Sequence, residues 1–193
     1  MHPRHILAIG SLTLLLAACA SAPTRFHTLD PVPPAAAAAG RALAPPVRLD
    51  SVTLPAELDR PQIVRRAGPG NLDVADDDRW AGPLDEIARH ALATDLAQRL
   101  PPGSTIRPDD PAPPKLLRGL DVEIDRFEGD LAGGVVLAAH WTLLDSAGNQ
   151  PAASHEERIE IPAGGAAIDA TVAGMSGALG LLADRIAAAV SGH

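Results

Sequence analysis

The chain has no tyrosine, two phenylalanines, two tryptophans and a single cysteine in 193 residues. Aromatics amount to 2% of the residues, too few to build stacking platforms for nucleobases or sugars. One cysteine rules out an intrachain disulfide, so packing alone must hold the fold together. Positive charge is scarce as well: 16 Lys and Arg stand against 24 Asp and Glu, a formal charge of −8. Nucleic acid demands a basic footprint and is excluded as a partner, and an acidic body gains nothing by lying on an anionic bilayer. The G-x-S-x-G elbow, the phosphate-binding glycine loops and the H-E-x-x-H zinc motif are all missing, so catalysis has no visible seat. Hydrophobic residues at 46% and charged residues at 21% suffice for a globular core.

The one cysteine stands at a telling place. Arg4 precedes an apolar run from Ile6 to Ala18 that is broken only by Gly10, Ser11 and Thr13 and closes in small residues, the pattern of a secretory leader. The run is shorter than the roughly 20 apolar residues that cross a bilayer as a helix, and Pro23 stops any continuation. Leu16-Ala17-Ala18-Cys19 is similar to a lipobox, in which the leader is cut before the cysteine and the thiol is acylated. A plain cleaved leader with an incidental cysteine is the alternative; the match at every lipobox position, and the lack of a second cysteine to pair with, favour lipidation. Each buried CH₂ adds about 0.8 kcal/mol of membrane affinity, so several acyl chains anchor permanently. Ala20 and Ser21 follow where an aspartate would resemble an inner-membrane retention signal, so the lipobox resemblance implies the periplasmic face of the outer membrane. Three regions follow: a signal peptide over 1–18, a lipidated tether over 19–24, and a single periplasmic domain over 25–193.

Within the domain, Arg25 to Leu29 is a short strand. Residues 31–46 form an Ala/Pro-rich insert with little to bury, expected to be mobile or extended. Val47, Leu49, Val52 and Leu54 alternate as a half-buried strand; Pro61 to Arg66, the turn Gly68-Pro69-Gly70-Asn71, and Leu72 with Val74 make a hairpin. Leu84, Ile87, Ala88, Ala91, Leu92, Leu96 and Leu100 lie on one helical stripe. Pro83, Asp85 and Glu86 mark its start, and Arg99 with Pro101-Pro102 its end. Leu120, Val122 and Ile124 alternate with acids, Val135 to Leu144 is apolar on both faces and therefore central, Ser146 to Asn149 turns, and Ser154 to Ile161 is a charged edge strand. Ile168, Val172, Met175, Leu179, Leu182 and Ile186 form a second long helix. Gly174, Gly177 and Gly180 lower one ridge of that helix, at roughly 0.5–1 kcal/mol each relative to alanine. Close packing on the sheet is the favoured compensation, a contact between subunits the alternative. The sum is a single-domain, two-layer α/β sandwich with a mixed sheet and two long helices.

Several residues invite chemistry. His140 and His155, with Glu156, span the last hairpin, but a tetrahedral metal site needs a further converging ligand, so scattered surface histidines are expected. Asp76-Asp77-Asp78 lacks the spaced oxygen ligands of a calcium loop and is expected to be a solvated acidic turn. Ser154-His155-Glu156 is contiguous, whereas triads assemble from distant segments. Neither a metal nor a cofactor is expected beyond covalent lipid on Cys19.

The blocks Leu58-Asp59-Arg60-Pro61-Gln62-Ile63-Val64-Arg65, Leu72-Asp73-Val74, Arg79-Trp80-Ala81-Gly82-Pro83-Leu84 and Ala97-Gln98-Arg99-Leu100-Pro101 resemble the PqiC-type family of ABC-type transport auxiliary lipoproteins, associated with MCE-protein lipid transport. Phe26-His27-Thr28-Leu29, Val52 to Pro55, Asp125-Arg126-Phe127 and Val136 to Leu144 extend the likeness over nearly the whole mature chain. The family usually has paired tyrosines where this chain has Phe26-His27, and the Ala/Pro insert is unusual. The resemblance implies a non-catalytic outer-membrane lipoprotein that maintains membrane integrity by docking the periplasmic MCE-domain protein of a phospholipid transporter. A ring-like homo-oligomer is compatible with it. Arg60, Arg65, Arg66 and Trp80 are the candidate partner contacts, because Arg and Trp are over-represented at hot spots; Trp80 as a staple for the first helix, and Arg60 paired with a local acid, are the structural alternatives. A lipid- or small-ligand-binding carrier would require an apolar cavity between sheet and helices, and a lipoprotein hydrolase a converging nucleophile and base.

Overall fold

In a computed structural model, which describes residues 23–36, 38–111, 117–147 and 150–192, the alternating segments become an eight-stranded mixed sheet and the two striped segments become helices. The leader and Cys19 lie outside the described residues, as do Gly148 and Asn149 of the predicted turn. The strands are β1 (Arg25–His27), β2 (Val47–Thr53), β3 (Gln62–Gly68), β4 (Asn71–Trp80), β5 (Thr105–Ile106), β6 (Arg118–Asp130), β7 (Val135–Leu144) and β8 (Pro151–Ile161). The helices are α1 (Leu84–Arg99) and α2 (Ile168–Ser191), with a 3₁₀ turn at Ala56–Leu58.

The 13-residue β6 organises the sheet. Along one side it pairs in parallel first with β2 and then, at Arg65↔Gly129 and Arg66↔Asp130, with β3; along the other it pairs antiparallel with β7. β7 is interior and β8 is the edge, as the charge pattern predicts. The β3–β4 hairpin closes at Gly68↔Asn71, where Gly70 adopts φ +73°, a conformation that only glycine takes without strain. β1 adds in parallel to the far end of β4.

One expectation needs correction. Asp76-Asp77-Asp78 is not a turn: β4 runs on to Trp80, and the register against β3 shifts between Val74 and Arg79, so a bulge absorbs the extra residues. The strand persists because the buried Asp78 carboxylate finds Arg25 and His27 as partners in place of water. The Ala/Pro insert has no helix or strand among its described residues. Val32 N–H donates to Asp95 Oδ1 at 2.7 Å and Leu43 N–H to Ser104 Oγ at 2.9 Å, so both ends are pinned to the domain.

Both helices cover one face of the sheet, α2 across β6, β7 and β8 and α1 beside it over β2. Trp141, Phe127, Leu120, Leu137, Leu143, Leu179 and Leu182 are each at most 1% exposed in the layer between. Burial of side chains of this size contributes about 1.5–3 kcal/mol apiece. α2 is long and apolar enough to cross a membrane, but half of its most apolar stretch is buried against the sheet and α1, which makes it a core helix.

The glycine ridge now has its reason. A Cβ on Gly174 would come 2.8 Å from Val135 Cγ2 of β7, and one on Gly180 would come 3.0 Å from Val32 Cβ, whereas one on Gly177 would meet nothing nearer than Ile161 Cδ1 at 4.0 Å. Gly177→Ala should therefore stabilise the protein by about 0.5–1 kcal/mol through helix propensity. Gly174→Ala should destabilise it by about 1–3 kcal/mol through overpacking. Urea midpoints that moved the same way for both would refute the assignment.

Candidate interaction surface

With one face of the sheet under helices, the other is open, and the predicted contact residues distribute between the two. Register partners share a face. Arg66 lies opposite Leu72 on β4 and beside Asp130 on β6, on the open face. There it donates from Nε and Nη2 to the two carboxylate oxygens of Glu128 at 2.8 and 2.9 Å, while Arg126 Nε donates to Glu128 Oε1 at 2.9 Å. Glu128, only 4% exposed, is thus a buried acceptor shared by two guanidinium groups from neighbouring strands. Arg65 points the other way. Its Nη2 donates to Asp73 at 2.7 Å and its Nη1 to the carbonyl of Ala166 at 3.0 Å, just before α2.

Arg60, in the bend between the 3₁₀ turn and β3, is exposed and has no ion pair or side-chain hydrogen bond among the described residues. Trp80 is 4% exposed and belongs to the core just before α1. Its indole is therefore packed inside the domain and not presented on the surface.

At the sheet edge beside β4, Arg25 and His27 converge on Asp78 at 2.8 and 2.7 Å, and His27 Nδ1 lies 3.6 Å from Asp169 in the first turn of α2. Burial pushes the Asp78 carboxyl up, but the hydrogen bonds from Arg25 and His27 outweigh it and hold the group below the usual carboxylate range. Phe26, between them, points away from the helices and is 68% exposed.

The remaining candidates disperse. His140 is on the open face, 2.8 Å from Asp125 and 3.9 Å from Glu156, while His155 is on the other face, stacked on Trp141 with centroids 4.5 Å apart. Ser154 and Glu156 flank His155 on a strand, where successive side chains alternate. Among the described residues no group of three or more His, Cys, Asp or Glu is placed to hold a metal. Between sheet and helices the space is filled by the side chains named above. A groove of about 540 Å³ opens instead on the outer side of α1, lined by Arg89, His90, Ala93, Ile106 and Pro108 among others.

Sequence reasoning missed the buried Glu128, Asp78 and Asp95. The available signal for Asp95 is its place beside Leu92 and Leu96 on the apolar stripe, four residues before Arg99; an acid there needs a partner.

A profile of the ABC-type transport auxiliary lipoprotein component family matches residues 27–187. The chain belongs to that family. As a member it is an auxiliary lipoprotein component of an ABC-type transport system, with a transporter as its partner. The fold agrees. A crystal structure of an uncharacterized protein superposes with a TM-score of 0.72 at 19% identity, covering 88% of this chain and 99% of the other. XCC0632 from Xanthomonas campestris, of the DUF330 family, gives 0.64 at 20% identity, covering 85% and 92%. The PelC dodecamer from Paraburkholderia phytofirmans is more distant, at 0.42 and 12% identity over 77% and 91%. No curated protein matches the chain.

Proposed function

We propose that this auxiliary lipoprotein is held by acyl chains on Cys19 at the periplasmic face of the outer membrane, where it docks the periplasmic MCE-domain protein of a phospholipid transporter without catalysing a reaction itself. One observation carries the proposal: the family match over residues 27–187 continues a chain whose start reads Leu16-Ala17-Ala18-Cys19. An anchor confines the domain to a thin layer and raises its effective concentration for a partner that crosses the periplasm, so weak contacts suffice. Arg60 is the contact residue of choice, because its guanidinium is exposed whereas Arg65 and Arg66 are engaged within the domain.

Cys19→Ala is expected to abolish incorporation of labelled palmitate and to release the domain into the soluble periplasm. If the variant still sediments and floats with outer membranes, the anchor is elsewhere. If the acylated parent fractionates with inner membranes, the location is wrong.

A further inference from the structure

Isolated apolar side chains on a surface need no explanation, but several on one face of one sheet edge do. Of the five large apolar residues that are exposed among the described ones, three are Phe26 (68%), Leu72 (38%) and Val74 (36%), all on β1 and β4. They share the open face. Leu72 is opposite Arg66, whose side chain reaches Glu128 there, and Val74 is opposite Val64 in the same run of register. Phe26 is turned from the helices because Arg25 and His27 on either side of it point to Asp78.

The position of this edge in the chain says what covers it. Phe26 is seven residues after Cys19, so a fully extended tether places its Cα at most about 25 Å from that of Cys19. Arg25 and His27 clamp β1 onto Asp78 and Asp169, so the ring is presented on a fixed strand and not on a trailing end. Resting on the reading of Cys19 as the lipid anchor, we infer that the β1–β4 edge is a membrane-contacting face, with Phe26 entering the interfacial layer of the leaflet that holds the acyl chains. Leu72 and Val74 lie further along the same edge of β4, toward the β3–β4 turn, beyond the stretch that pairs with Phe26 at Arg79. The exposed Asp76 and Asp77 of β4 keep the contact shallow and favour zwitterionic over anionic headgroups. The domain therefore does not swing freely on its tether but lies with one sheet edge against the bilayer, which fixes the direction in which its other surfaces face the periplasm.

The test uses the full-length acylated protein carrying Phe26→Trp, reconstituted into phosphatidylcholine vesicles with brominated chains. The native tryptophans, Trp80 and Trp141, are buried and serve as an unquenched background. The inference predicts that emission from position 26 is shifted to the blue and quenched by brominated lipid, while the parent protein's emission is unchanged. Leu72→Trp, at a second exposed site, should show the same quenching more weakly. If both variants stay on the vesicles and neither is quenched, the contact is refuted and the anchor reading survives. Shielding of position 26 from aqueous acrylamide without quenching by brominated lipid assigns the edge to a protein contact and equally refutes it. If the acylated protein does not float with the vesicles at all, the anchor reading fails and this inference falls with it.

Discussion

Asp95→Ala should lower the stability by about 2–3 kcal/mol at neutral pH, the cost of leaving buried donors unpaired, whereas Asp95→Asn should leave it equal to or above that of the parent. Asp95 is fully buried between α1 and the start of the insert. Its Oδ1 accepts from Val32 N–H at 2.7 Å and lies 3.3 Å from Arg99 Nη1, which also donates to the Val32 carbonyl at 2.9 Å; its Oδ2 has no partner among the described residues. Arg99 Nε is held in turn by Asp184 of α2 at 2.6 Å. Alanine removes the acceptor that fixes Val32 and loosens the insert. Asparagine keeps an oxygen for Val32 and takes an ion out of the core, while Arg99 retains Asp184.

The same carboxyl sets a pH dependence. Burial pushes it up to about 6 from an ordinary 3.8, and the bonds from Val32 and Arg99 only partly pull it back. Between these values the folded state holds a proton that the unfolded state has released. The contribution of this group is therefore fully present below about pH 4 and is lost as pH rises through 6, a decline of about 3 kcal/mol over the window and flat above it. Urea unfolding of the parent and of Asp95→Asn, followed at pH 4.5 and 7, isolates this slope because the other acids are common to both. Parallel changes in the two proteins would contradict the assignment.

Glu128→Ala should cost about 2–3 kcal/mol, the scale for losing charge-assisted hydrogen bonds to a buried carboxylate whose arginine partners stay part-exposed. The carboxylate receives three hydrogen bonds from Arg66 and Arg126, and without it two guanidinium groups face each other uncompensated. Those bonds matter beyond their number, because β3 meets β6 through only two register pairs, Arg65↔Gly129 and Arg66↔Asp130. The β3–β4 hairpin thus depends on Glu128 for its attachment to the rest of the sheet. Amide exchange is expected to accelerate selectively in the hairpin, and added salt to restore part of the lost stability by screening the two cations. A uniform loss of protection across the domain, insensitive to salt, would contradict this role.

Legibility in the sequence followed the strength of the periodic signal. Both long helices, the central β7, the charged edge β8 and the β3–β4 turn stand in the pattern, because period and turn chemistry are local properties. Strand order was not legible: β2 and β3 dock end to end along the same side of β6, a non-local arrangement that no periodicity encodes. The error at Asp76-Asp77-Asp78 has the same origin. Three consecutive acids read as a solvated turn until Arg25 and His27, some fifty residues away in sequence, supply the hydrogen-bond partners that let Asp78 be buried in a strand. Among the candidate contacts, residue type alone makes Arg60, Arg66 and Trp80 candidates, with the staple role favoured for Trp80. Only the fold separates an exposed arginine from one spent on Glu128 and from an indole spent on the core.

Docking to a transporter is tested by affinity capture of the full-length acylated protein from detergent-solubilised envelopes, with the parent and Arg60→Ala side by side. The MCE-domain protein of a lipid transporter should be recovered with the parent, and in reduced amount with an Arg60→Ala variant of unchanged thermal stability. Recovery of the lipoprotein without any MCE-domain protein, under conditions that preserve the transporter's own complex, would contradict that docking.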